Sequence, residues 1–138
     1  MLGVFLGLAL GCNPPQPTPD VLLVVIDTLR ADSLGYAGHG RPTSPNLDRL
    51  ANENTWFSRA YSPSTWTLPA MASLLTGLYP FQHGVVRDWR DSTLYGRLEE
   101  GIPTLPGHLA KRGYRSAAFL NNSFLAPDFQ LQRDWDLY

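Results

Sequence analysis

Six consecutive aliphatic residues, Val21-Leu22-Leu23-Val24-Val25-Ile26, end abruptly on Asp27. No polar residue alternates within the run, so it does not suit a strand with one wet face. It suits a strand covered on both sides, as in a parallel sheet flanked by helices. The charge at its carboxyl end falls where open α/β sheets gather their ligands. Downstream, residues 45–51 read as a helix with Leu47, Leu50 and Ala51 on one face. Thr55 to Tyr61 has the aromatic, alternating look of a short strand. Thr67 is the expected N-cap of a second helix, with Pro69 in its first turn, Met71, Leu74 and Leu75 as its apolar face, and Gly77 with Pro80 as its stop. Residues 104–113 predict a third helix and Arg115 to Leu120 a further strand. Strands and helices alternate, the pattern of an α/β fold with a mainly parallel sheet.

With 43% hydrophobic and 17% charged residues, the 138-residue chain is globular in composition and suits one domain. Eleven Lys and Arg stand against 12 Asp and Glu. This balance lacks the clustered basic excess of nucleic-acid binders, so no nucleic-acid partner is expected. The single cysteine, Cys12, excludes an internal disulfide. It follows an apolar run, Leu2 to Leu10, too short for the roughly 20 residues that a membrane span needs. The run fits the apolar core of an export signal. Leu8-Ala9-Leu10-Gly11-Cys12 resembles a bacterial lipobox, departing from it at Leu10 and in having no Lys or Arg before the apolar run. On that reading residues 1–12 are a lipoprotein-type signal segment, 13–20 a Pro-rich tether, and 21–138 the folded part. The protein is then exported, a periplasmic or cell-surface bacterial lipoprotein held to a membrane through lipidated Cys12. The alternative is an apolar N-terminus with a chance cysteine.

Asp27 and Thr67 form the best chemical pair. One ends a strand; the other opens a helix, whose unpaired N–H groups and dipole make a seat for a tetrahedral anion. The dipole is worth about 0.3–1 kcal/mol, too little to turn a threonine into a nucleophile. A cation can, because Lewis-acid polarisation is worth several kcal/mol. A threonine nucleophile therefore needs a carboxylate-bound metal, and Asp27 is the first ligand in line, with the Thr67 hydroxyl as a second. The plain alternatives are that Thr67 is only a cap and Asp27 only a strand-end polar residue.

Four segments in order carry a family resemblance. Val24-Val25-Ile26-Asp27-Thr28-Leu29-Arg30-Ala31-Asp32-Ser33-Leu34-Gly35 is similar to the opening of sulfatases, members of the alkaline phosphatase superfamily. Thr43 to Ala51 resembles their next signature, Ser62 through Pro80 their active-site segment, and Tyr114 through Phe119 a later strand. The resemblance implies an alkaline-phosphatase-like sandwich with a mainly parallel central sheet, of which this chain is the N-terminal portion. It implies a metal-dependent hydrolase of sulfuric or phosphoric esters, acting on a small-molecule or glycan ester. It makes Asp27 a metal ligand, and Leu74-Leu75-Thr76-Gly77 sets Thr67 in the nucleophile's register. One divalent ion is expected: Ca²⁺, or Mn²⁺ or Zn²⁺ if the enzyme is phosphoesterase-like. Further ligands, a histidine and a lysine lie beyond Tyr138 in such proteins, so this chain alone is expected to be inactive.

This sequence departs from the family pattern at several positions. Thr28 stands where many members have a second aspartate, Ala70 where they have serine, and Met71 where they have arginine. Formylglycine is made from Cys or Ser, so none is expected at Thr67. Threonine nucleophiles belong to relatives that cleave or transfer phosphate esters. The alternatives are thus a phosphoesterase or phosphotransferase with a plain threonine, or a lipoprotein fragment without turnover. His83 is expected to be structural, His39 solvent-facing, His108 packed or exposed, and Arg30 and Asp32 a local ion pair.

Overall fold

The computed structural model describes residues 18–88, 91 and 94–138. Cys12, the signal segment and most of the Pro-rich tether lie outside the described residues. Four α-helices are found among the described residues: α1 (Pro45–Glu53), α2 (Thr67–Thr76), α3 (Pro80–His83) and α4 (Leu105–Ala110). Short 3₁₀ turns occupy Ala31–Ser33, Gly35–Ala37, Ser123–Leu125 and Pro127–Phe129.

α2 is the centre of the packing. Leu68, Ala72 and Leu75, spaced four and three residues apart, are buried in a cluster with Val85, Leu98, Leu125 and Leu131. The expected face of Met71, Leu74 and Leu75 is therefore rotated: Leu74 is exposed and Met71 only packs at the cluster's margin. The helix is apolar on most of its circumference, so tertiary contacts decide which stripe is covered. Its stop is as expected. Gly77 takes φ 73 and donates its N–H to the Ser73 carbonyl at 2.8 Å. Its start is one residue earlier than expected. Ala70 N–H reaches the Trp66 carbonyl at 3.4 Å, which makes Trp66 the N-cap and Thr67 the first helical residue.

α1 extends two residues beyond the expected Ala51, which is buried, whereas Leu50 is exposed. Ser44 and Asp48 tie this helix to the loop that follows Asp27. Gly35 N–H donates to Ser44 Oγ, and Tyr36 N–H to Asp48 Oδ1, each at 2.9 Å. A Cβ on Gly35 would stand 2.3 Å from the Asp48 carboxylate, so the close approach requires glycine. α4 covers the first part of the expected 104–113 helix, and Thr104 caps it by accepting from Gly107 N–H at 3.1 Å.

The expected strands carry no ladder. Among the described residues only isolated bridges are found, Arg87 with Tyr95 antiparallel and Ala117 with Leu137 parallel. Residues 55–61 are exposed and unpaired as a strand. Val21 to Ile26 remain 47–88% exposed, so the two covering layers that their sequence demands are not supplied by the described residues. Strand formation depends on a partner at the right distance, which a sequence run cannot provide alone. A directional relation survives nonetheless. Tyr114 Oη donates to the Pro19 carbonyl at 3.1 Å, and Asn122 Nδ2 to Asp27 Oδ2 at 2.7 Å, both across a separation of 95 residues. The equal offset places the start of 19–27 near the start of 114–122 and the two ends near each other.

His83, expected to be structural, is buried between α2 and the segment after α3. Its Nδ1 accepts the Val85 N–H at 3.0 Å, which assigns the proton of the neutral ring to Nε2, 3.0 Å from Ser73 Oγ. Burial pushes its pKa below the ordinary value, partly offset by the Pro69 carbonyl and its own backbone. The folded state therefore favours the neutral ring, and the unfolded state takes up a proton first as pH falls through about 6.5. Stability is complete above that pH and declines below it. Asp32, held low by its hydrogen bonds from Arg30, and Asp136, held low by the Ser116 N–H, act further down, below about pH 4. The unfolding midpoint is expected to fall between about pH 7 and pH 5, and His83→Gln to flatten that fall. An equal slope in the variant would assign the acid sensitivity elsewhere.

Candidate functional site

Two side chains from distant parts of the sequence meet at the carboxylate of a third, Asp27. Asp27 closes the apolar run, and the next residue, Thr28, turns the chain sharply with φ 57, a left-handed conformation uncommon for a β-branched residue. Strain of this kind concentrates at functional sites. Thr67 Oγ1 donates toward Asp27, 3.0 Å from both Oδ1 and Oδ2. Asn122 Nδ2 donates to Oδ2 at 2.7 Å. The juxtaposition of Asp27 and Thr67, argued above from chemistry, is thus present in the geometry. Thr67 reaches the carboxylate instead of capping its own helix, and Pro69, third in that helix, has no N–H for a cap to bind.

Packing fixes the two donors. Trp66, adjacent to Thr67, lies 5.7 Å from Phe124 edge to face and 5.6 Å from Tyr95. Phe124 is two residues past Asn122, and the Arg87 guanidinium stands 6.0 Å above the Tyr95 ring. Asn122 was not singled out from the sequence. It could have been, because it stands two residues past the expected strand 115–120, as Asp27 stands one past 21–26, at the carboxyl end where ligands gather.

The donor set suits a hard divalent cation. A carboxylate and a hydroxyl are oxygen ligands of the kind that Ca²⁺ takes at several positions. Among the described residues no group of three or more His, Cys, Asp or Glu converges that could hold a metal ion. The other residues considered stand apart from these three. Arg30 and Asp32 form the expected local pair, with Nε–Oδ1 at 2.9 Å and Nη2–Oδ2 at 2.5 Å, both side chains largely exposed. His39 is partly exposed, with Nδ1 3.0 Å from the Asp32 carbonyl. His108 is exposed on α4.

Comparison with known proteins gives a consistent picture. The family described as Sulfatase matches residues 19–128. Arylsulfatase A of Bos taurus is 37% identical over 109 residues, covering 79% of this chain and 21% of its own length. N-acetylgalactosamine-6-sulfatase of Homo sapiens is 33% identical over 109 residues, covering 74% of this chain and 21% of its own. The ulvan-active sulfatase of Formosa agariphila is 41% identical over 71 residues, covering 51% of this chain and 14% of its own. The chain thus spans about one fifth of the length of the first two relatives. No solved structure matches it significantly.

The geometry generates a test that needs no substrate. Asp27→Ala and Asn122→Ala are expected to destabilise the protein non-additively, with a coupling of about 0.5–1.5 kcal/mol for the lost hydrogen bond. Strictly additive unfolding energies in the double variant would mean that the two side chains do not interact in solution.

Proposed function

The chain belongs to the sulfatase family, and from that premise we propose a metal-dependent hydrolase of sulfuric or phosphoric esters in which Thr67 is the nucleophile and Asp27 a metal ligand. The family implies an alkaline-phosphatase-like α/β fold. A mainly parallel sheet within it is supported by the meeting of 19–27 and 114–122 start to start and end to end, and by the parallel bridge of Ala117 and Leu137. The names of the N-acetylgalactosamine and ulvan sulfatases describe those proteins. By extension, a small-molecule or glycan ester is the proposed substrate class here.

The single observation that carries the reading is the Thr67 hydroxyl 3.0 Å from both Asp27 oxygens at the start of α2. When bound, a divalent cation supplies Lewis-acid polarisation worth several kcal/mol. In the proposed step Thr67 Oγ1 would form a bond to the central phosphorus or sulfur while the ester bond to the leaving oxygen breaks; the hydroxyl proton passes to solvent, and the leaving alkoxide takes a proton from solvent to depart as the alcohol. The first N–H groups of α2, which have no partner within the helix, can receive the oxygens of the transferred group. Water subsequently cleaves the threonine ester and restores the hydroxyl. Because threonine does not give formylglycine, phosphate esters are the preferred class. Met71, where the family pattern has arginine, points the same way.

In the full-length protein, Thr67→Ala is expected to stay folded, losing about 0.5–1.5 kcal/mol with one hydrogen bond, while turnover of a phosphate monoester falls by orders of magnitude. Thr67→Ser should retain part of the activity. Wild-type turnover in Thr67→Ala, or a preference for sulfate esters, would overturn the assignment.

Attachment to a membrane through Cys12 is a separate part of the proposal. Its support is the apolar run, glycine and cysteine of residues 2–12, followed by a Pro-rich tether. In a bacterial host, globomycin or Cys12→Ser is expected to block processing and membrane retention. Unchanged size and partitioning under both treatments would remove this part of the reading.

A further inference from the structure

We infer that Asn122 is a positioning residue that decides which oxygen of Asp27 is presented to a cation, an inference that rests on the metal-binding reading of Asp27 above. The orientation of its amide is fixed at both ends. Oδ1 accepts the Phe124 N–H at 2.9 Å, so Nδ2 is the atom turned to Asp27 Oδ2 at 2.7 Å. Rotating the amide would set its oxygen against a carboxylate and leave the Phe124 N–H facing a donor. Asn122 is therefore not itself a cation ligand in this arrangement, since ligation through Oδ1 would require that rotation. The shorter hydrogen bond engages Oδ2, from a side chain tied through the Phe124 N–H to a turn whose Phe124 ring packs among Trp66, Tyr95 and Phe129. Thr67, in contrast, is equidistant from both oxygens and is free to favour either. Oδ1, which takes no bond from Asn122, keeps more of its lone-pair capacity for coordination beside the Thr67 hydroxyl. A carboxylate so held keeps one oxygen for the cation and resists the rotation that would carry it away. Partners of this kind are worth about 10–100-fold in metal affinity.

The capping role of Asn122 at the Ser123–Leu125 turn supplies the control. Serine keeps the ability to cap but has no amide to reach Asp27. Full-length protein stripped of metal is titrated with Ca²⁺, and in parallel with Mn²⁺ and Zn²⁺, by calorimetry, as wild type, Asp27→Ala, Asn122→Ala and Asn122→Ser. The expected result is metal affinity weakened about 10–100-fold in both Asn122 variants alike, with metal-free Asn122→Ser still folded cooperatively and destabilised by no more than its one lost hydrogen bond to Asp27. Wild-type affinity in Asn122→Ser would overturn the positioning role while leaving the Asp27 site intact. If Asp27→Ala binds as the wild type does, or the wild type binds none of the three ions, the metal reading itself fails and this inference falls with it.

Discussion

The burial of α2 is the constraint on which the rest of the structure depends. Leu68 and Ala72 are fully buried and Leu75 nearly so, and burying each leucine contributes roughly 1.5–3 kcal/mol. The same helix packs against α3, α4 and the Ser123–Leu125 turn. Its position therefore determines where two side chains stand: Thr67 as its first residue, and Asn122 as the residue that leads into the turn packed on its side. Both then face Asp27. The hydrogen bonds among these three are exposed and individually worth about 0.5–1.5 kcal/mol, too little to organise three distant segments. The site inherits its geometry from the core.

Exposure of the site and of the run that leads to it has one physical origin. Val21 to Ile26 carry a composition suited to burial on both faces, yet about half or more of each side chain is open to solvent. Phe119 and Leu120, on the segment 114–122, are also exposed. Exposed apolar side chains thus lie on both segments that end at Asp27 and Asn122, as they do at Phe57, Tyr61 and Phe81 elsewhere, while the opposite ends of those segments meet at Pro19 and Tyr114. The carboxylate stands where two apolar segments stop together, at the boundary between a surface that favours covering and a cluster of polar groups.

Features with a local cause could be read from the sequence. Gly77 stops α2 because φ 73 suits glycine, and Pro45 opens α1 because it needs no N–H there. The approach of Thr67 to Asp27 was legible from the family resemblance, which sets both residues in its site segments, and the structure brings the hydroxyl to the carboxylate. Features with a distant cause were not. Leu74 and Leu50 look like core residues until the neighbours that leave them uncovered are known. Thr67 looks like a cap because caps are judged by sequence neighbours, whereas the partner that claims its hydroxyl is 40 residues away. Asn122 was missed because an asparagine has no charge to draw notice, although its place after an apolar segment obeys the rule that singled out Asp27. The strands were overstated because ladder formation depends on partners that an isolated run does not contain.

The separations that converge on Asp27 also set an order of assembly. Thr67 is 40 residues away and Asn122 is 95, and closing the longer loop costs about 0.8 kcal/mol more chain entropy. During synthesis the chain is released N-terminal first. Asp27 and all of α2 thus leave the ribosome well before Asn122 exists as a partner. The carboxylate can be met by the threonine early, with the freedom to turn either oxygen toward it. The asparagine arrives with the last quarter of the described chain and removes that freedom. A half-synthesised or C-terminally nicked chain would hold the same aspartate and the same threonine, but not one defined orientation between them.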